Sequence, residues 1–80
     1  MKVLKFYADW CQPCKMLSKT LEDVETDVEF EDIDIDEQMD LAKQYGVRGV
    51  PTMVMLNDGV EVKRVSGYMT KEKLEEWLEC

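Results

Sequence analysis

Cysteine carries whatever chemistry this sequence can perform. Its 80 residues include Cys11, Cys14 and Cys80 and no histidine. Without imidazole there is no Ser-His or Cys-His catalysis to consider. Zinc is a weak candidate too, because a structural site usually takes four Cys or His ligands. Three cysteines and one acid could improvise a site only if Cys80 folded back to the start of the chain. A disulfide-stapled secreted scaffold usually shows more cysteines, in even number. What remains is Cys11-Gln12-Pro13-Cys14, a C-x-x-C. Two thiols at that spacing can be redox-active, can ligate a metal, or can be two unrelated small apolar residues.

The flanking residues choose among these readings. Residues 2–8 are rich in β-branched and aromatic types and predict a strand. Leu4 and Phe6 fall on one face of it, and Val3, Lys5 and Tyr7 on the other. Asp9-Trp10-Cys11-Gln12 reads as a loop, and Pro13 suits the first turn of a helix, where its missing N–H is not needed. That helix is expected to run to about Thr26, with Leu17, Leu21 and Val24 as its apolar stripe. Residues 28–35 predict a second strand whose apolar parity changes between Phe30 and Ile33, as a strand covered on both sides, or one with a bulge, would show. The C-x-x-C therefore sits between strand and helix inside a βαβ unit, the context in which it signals redox chemistry. There the free N–H groups and macrodipole of the helix favour a Cys11 thiolate. Cys14, on the first turn, is placed to join it in a disulfide. Trp10 is expected to shield the loop while leaving Cys11 exposed, and Pro13 to stiffen the turn.

Downstream, Asp36 is the expected N-cap of a helix at about 37–45, closed by Gly46. Residues 52–57 read as a buried strand, Asp58-Gly59 as a tight turn, and 60–66 as the returning arm of a hairpin. Thr70 caps a last helix that buries Leu74, Trp77 and Leu78. The order is β-α-β-α-β-β-α. It predicts an α/β fold in one domain, residues 1–80, with a mixed four-stranded sheet and helices on both faces. The first crossover is right-handed between parallel strands.

The formal charge is −8, and eleven acids with no base lie between Glu22 and Asp40. Nucleic acids and anionic membranes need a basic face, so neither is an expected partner. The acidic stretch reads as a solvated face, or more sharply as a patch that steers a basic partner. No apolar run approaches the ~20 residues that cross a bilayer, and Lys2 and Lys5 interrupt any leader-like opening. The expected compartment is the cytoplasm.

Ala8-Asp9-Trp10-Cys11-Gln12-Pro13-Cys14-Lys15-Met16 resembles the active-site signature of the thioredoxin family. Tyr45-Gly46-Val47-Arg48-Gly49-Val50-Pro51-Thr52 resembles that family's cis-proline loop, and Gly67 follows the last strand as it does there. Together these matches cover nearly the whole chain. Taken alone, Pro51 is compatible with an ordinary strand-edge proline; the resemblance implies a cis peptide. It also implies a dithiol carrier that reduces protein disulfides and is re-reduced by a thioredoxin reductase or a small thiol, as a monomer with no metal or organic cofactor. Carried over, Cys11 attacks the substrate and Cys14 resolves the mixed disulfide. Trp10, Val50, Pro51, Gly67 and Tyr68 form the substrate groove, with Pro13 in support.

The sequence departs from the family pattern in four places. Aligned this way, it lacks the leading strand and helix of a full-length thioredoxin. Its length is closer to that of a glutaredoxin. Gln12 replaces the usual glycine. Lys5 occupies the strand position where thioredoxins keep a buried acid, and Asp32 the neighbouring-strand position that usually holds a lysine. Neighbouring strands lie about 4.8 Å apart, so Lys5 and Asp32 are expected to pair beneath the thiols, where the ammonium favours a Cys14 thiolate. The competing expectation has Lys5 snorkelling to a sheet edge and Asp32 solvated.

The expected function is thiol–disulfide exchange through Cys11 and Cys14. Two alternatives stay open. A glutaredoxin-like, glutathione-dependent reductase fits the length. It lacks the Gly-Gly-x-Asp pattern after the last strand, where Ser66-Gly67-Tyr68 stands, and little beyond Lys15 and Arg48 could bind glutathione. A non-catalytic module that keeps the fold to grip a partner would leave the thiols idle. Cys80 reads as an exposed free thiol without a catalytic role.

Overall fold

A computed structural model describes residues 1–79, and the reading of Cys80 lies outside them. The chain forms β1 (Lys2–Tyr7), α1 (Gln12–Leu21), β2 (Glu29–Asp34), α2 (Met39–Gln44), β3 (Thr52–Asn57), β4 (Val60–Ser66) and α3 (Lys71–Leu78). The sheet order is β2-β1-β3-β4. β1 pairs in parallel with β2 and antiparallel with β3, and β3 pairs antiparallel with β4. The expected α/β architecture, with its mixed four-stranded sheet, is the one observed.

Strand alternation divides the core. Val3 of β1 and Met53 and Met55 of β3 pack with Leu17 of α1 and with Leu74 and Leu78 of α3. Leu4, Phe6, Val54 and Leu56 turn to the opposite face and pack with Ile33 and with Ala42 of α2. Because β1 and β3 lie inside the sheet with helices over both faces, they carry near-continuous apolar runs. β2 holds an unbroken register from Lys2 opposite Glu29 to Tyr7 opposite Asp34, so no bulge is present. The parity change between Phe30 and Ile33 has another cause. Phe30 packs on the α1/α3 side and Ile33 on the α2 side, so the strand is covered on both faces.

Two boundaries differ from expectation. α1 stops at Leu21 rather than near Thr26. The next six residues hold Glu22, Asp23, Glu25 and Asp27, and carboxylates oppose the negative end of a helix macrodipole. Leu21 and Val24 still pack on the core from this turn. α2 begins at Met39, and its N-cap is Gln38, not Asp36. Asp34 takes the amides first: its Oδ1 accepts from Asp36 N at 2.9 Å, and its carbonyl accepts from Gln38 N at 2.8 Å. Gly46 closes α2 as expected, in the left-handed region at φ 66°. Its N–H donates to Lys43 O and that of Val47 to Ala42 O, which satisfies the last carbonyls of the helix. Trp77 is only half-buried, while Leu74 and Leu78 are buried. Its carbonyl accepts a hydrogen bond from Lys63 Nζ, and the ammonium sits 5.1 Å from the ring centroid.

Candidate redox site

The site lies where β1 ends and α1 begins. Ala8 O accepts from Cys11 N at 3.1 Å, which turns the chain through Asp9 and Trp10. Cys11 is the N-cap of α1, with extended backbone at φ −94° and ψ 107°, and Pro13 lies in the first turn. Its sulfur occupies the place of a capping oxygen: the Cys14 N–H donates to Cys11 Sγ at 3.2 Å. A sulfur bearing negative charge accepts that bond more strongly than a neutral one, and the dipole adds to the effect. Cys11 and Cys14 are joined as a disulfide, their Cα atoms 5.3 Å apart.

The opposing wall is the loop before β3. Val50–Pro51 is a cis peptide. Cys11 Sγ lies 3.6 Å from Val50 O, which a Cys11 thiol can donate to once the disulfide opens. The loop is held from two sides. Thr52 Oγ1 donates to Gly49 O at 2.7 Å and lies 3.3 Å from Ser66 Oγ. Gly67, at φ 91°, donates its N–H to Pro51 O at 2.8 Å. Val50 thus borders the cysteine pair, Trp10 directly precedes it in sequence, and Gly67 is tied to Pro51 in the adjoining loop.

The structure departs from the expectation for Cys11. Cys11 is 4% exposed and Cys14 3%, so Cys11 is not the open thiol expected. In the disulfide its sulfur turns inward, onto a small cluster with Ala8, Cys14 and Val50. Trp10 is 67% exposed, and its indole N–H donates to Asp36 Oδ2 at 3.0 Å. The carboxylate first assigned to capping α2 therefore orients the tryptophan. The Tyr68 hydroxyl lies 3.3 Å from Thr20 Oγ1, near the end of α1.

Lys5 and Asp32 are directly opposite in register. Lys5 Nζ lies 3.4 Å from Asp32 Oδ1 and donates to Ser18 Oγ of α1. The Lys5 side chain is 7% exposed and that of Asp32 62%, because β2 is an edge of the sheet. Ser18 was not anticipated. Its signal was its place four residues after Cys14 on the helix face that β1 meets. Tyr7 ends the same face of β1. Burial pushes its phenol above the usual range, and Asp34, Asp9, Asp32 and Glu37 add to the shift. Among the described residues, no cluster of side chains suits a metal ion.

A strand-to-helix turn that presents a C-x-x-C disulfide against a cis-proline loop, on this sheet topology, defines a thioredoxin-fold dithiol–disulfide protein. The sequence model of the family described as Thioredoxin matches residues 1–80. A thioredoxin of Chlamydia caviae is 41% identical over 75 residues, covering 90% of this chain and 74% of that protein. One from Staphylococcus aureus is 36% identical, covering 99% and 80%. Among solved structures, a mutant thioredoxin from Halobacterium salinarum NRC-1 superposes with a TM-score of 0.90 at 44% identity, covering 98% of this chain and 71% of that one. Thioredoxin 1 of Thermosipho africanus gives 0.84 at 27%, covering 99% and 91%. The chain belongs to the thioredoxin family. It is a thiol–disulfide oxidoreductase that reduces protein disulfides through the Cys11/Cys14 pair.

Proposed function

We propose that Cys11 is the attacking thiolate and Cys14 the resolving thiol. The observation that carries this is the Cys14 N–H donated to Cys11 Sγ at the N-cap of α1. That amide and the helix end stabilise negative charge on Cys11, while Cys14 lies inside the first turn and gains less from them. The Cys11 thiolate attacks one sulfur of a substrate disulfide, and the other leaves as a thiolate that takes a proton from solvent. Cys14 then attacks Cys11 Sγ and releases the second substrate thiol. Two electrons pass to the substrate, and a thioredoxin reductase or a small-thiol donor returns them.

Trp10, Val50, Pro51 and Gly67 form the substrate groove in this reading. The Val50 N–H has no hydrogen-bond partner among the described residues, so it is available to pair with an extended substrate as an added strand. Lys5, Asp32 and Pro13 support the pair. The protein acts as a monomer in the cytoplasm, where a dithiol carrier is kept reduced. No helix among the described residues is long and apolar enough to cross a membrane.

Cysteine variants test the assignment, all carrying Cys80→Ser to remove the third thiol. Cys14→Ser accumulates a mixed disulfide with a protein substrate, and Cys11→Ser accumulates none. Equal trapping by both variants, read by mass spectrometry, overturns it. Turnover with thioredoxin reductase, compared with glutathione and glutathione reductase, identifies the donor.

A further inference from the structure

Among the described residues, Lys5 is the one charged side chain that is buried, at 6% exposure. It projects from the middle of β1 onto the face covered by α1, and its ammonium is held from two other elements. It donates to Ser18 Oγ on α1 and pairs with Asp32 Oδ1 on β2 at 3.4 Å. Ser18 follows Cys14 by four residues, so the two stack on one helix face about one turn, 5.4 Å, apart. Cys14 and Ser18 line one open cavity of about 410 Å³. Lys5, Ser18 and Asp32 line the next, of about 360 Å³. The buried Lys5 side chain is therefore bonded to the residue one helical turn beyond Cys14.

We propose that Lys5 is a positioning residue that favours the Cys14 thiolate as the mixed disulfide resolves, with Asp32 limiting how strongly it does so. This rests on the reading that Cys14 resolves. In that step the Cys14 thiol yields its proton to solvent through the cavity beside it. The thiolate attacks Cys11 Sγ, the Cys11–Cys14 bond forms, and the Cys11–substrate bond breaks. The departing substrate thiolate takes a proton from solvent, and no further electrons are needed. The ammonium is buried and bonded to α1, whereas the Asp32 carboxylate is 62% exposed. Solvent screens the exposed charge more than the buried one, which leaves a net positive field at the thiol. Tyr7 and Asp9 face the same cavity from the end of β1, and Lys15, Lys19 and Glu22 face it from α1. Those five are half-buried or exposed, and solvent and salt screen such charges more than a buried one.

The experiment titrates Cys14 alone, by thiolate ultraviolet absorbance, in Cys11→Ser with Cys80→Ser. Lys5→Met keeps the apolar stem and removes the charge. It raises the midpoint by about 0.5–1 pH unit. Lys5→Arg keeps the charge and holds the midpoint within about 0.3 unit. Asp32→Asn removes the opposing charge at an exposed side chain and lowers the midpoint. A residue that only supported the fold would not produce shifts of opposite sign. In the Cys11-containing protein, Lys5→Met slows resolution of a preformed Cys11 adduct about three-fold below the midpoint, since the loss of thiolate outweighs its greater nucleophilicity. Unshifted midpoints, or shifts of one sign in Lys5→Met and Asp32→Asn, overturn the proposal. If Lys5→Met does not fold, the direction of the Asp32→Asn shift decides alone. The titration involves no substrate, so its outcome is separate from the trapping experiment that tests which cysteine attacks.

Discussion

Leu17→Ala removes the side chain that fastens the active-site helix to the sheet. Leu17 is fully buried one turn past Cys14, packed among Val3, Met53, Met55, Leu74 and Leu78. Three methyl or methylene equivalents leave this site, and neighbours held in two strands and a second helix cannot close the space. Transfer and cavity together cost about 3 kcal/mol. An 80-residue chain has only about 4–12 kcal/mol in total at the usual stability per residue. One truncation thus removes a quarter or more of it. Urea unfolding should show a lower midpoint with an unchanged slope, and Tm should fall by about 12–24 °C. The disulfide geometry is set by backbone at the N-cap, so exchange activity per folded molecule is expected to survive at low temperature. A loss below about 1 kcal/mol would show that the core can collapse around the truncated side chain and that Leu17 is not the fastener argued here.

The loop facing the disulfide can be loosened without touching it: Thr52→Val deletes the bond to Gly49 O. Stability should drop by about 1 kcal/mol, and KM for a protein disulfide should rise more than kcat falls. An unchanged KM in steady-state kinetics would separate this loop from substrate binding. Arg64 grips Glu61 through two bonds, Nε to Oε2 at 2.6 Å and its terminal nitrogen to Oε1 at 2.8 Å. Hydrogen bonding to Arg64 holds the Glu61 carboxyl below its ordinary value of 4.5. A depressed carboxylate stabilises the fold above the unfolded value and ceases to as pH falls through the folded one. The urea-midpoint advantage over Glu61→Gln should therefore be present at about pH 7 and shrink below about pH 4. A constant advantage across that range would exclude the pair as its source.

Much of this site was legible because its chemistry is local. Cys11, Pro13 and Cys14 sit within one helical turn, and strand alternation alone placed Lys5 on one face of β1 with Val3 and Tyr7. Contacts made far along the chain were not legible. Asp36 has the composition of a helix cap, yet Asp34 claims the turn and leaves the Asp36 carboxylate for Trp10, 26 residues away in sequence. The burial of Cys11 depends on where its sulfur points once bonded. The direction of Tyr68 depends on α1 passing within reach of its hydroxyl. The end of α1 was a charge effect that the apolar stripe through Val24 concealed. In β4, the register jumps from Met55 opposite Lys63 to Leu56 opposite Glu61, and no residue type announced the bulge that leaves Val62 unmatched.

The outer strand β2 also bears on how copies of this molecule meet. Of its six residues, Glu29, Glu31, Asp32 and Asp34 are acidic, and among the described residues no strand pairs with its outer side. Two such edges brought together would set rows of like charge against each other, which is how natural sheets discourage edge-to-edge growth. That guard is electrostatic and so belongs to solution conditions. It is strongest near neutral pH at low ionic strength, thins as salt shortens the Debye length, and is discharged in acid. The same carboxylates that give the protein its acidic face thereby set the conditions under which concentrated samples stay dispersed.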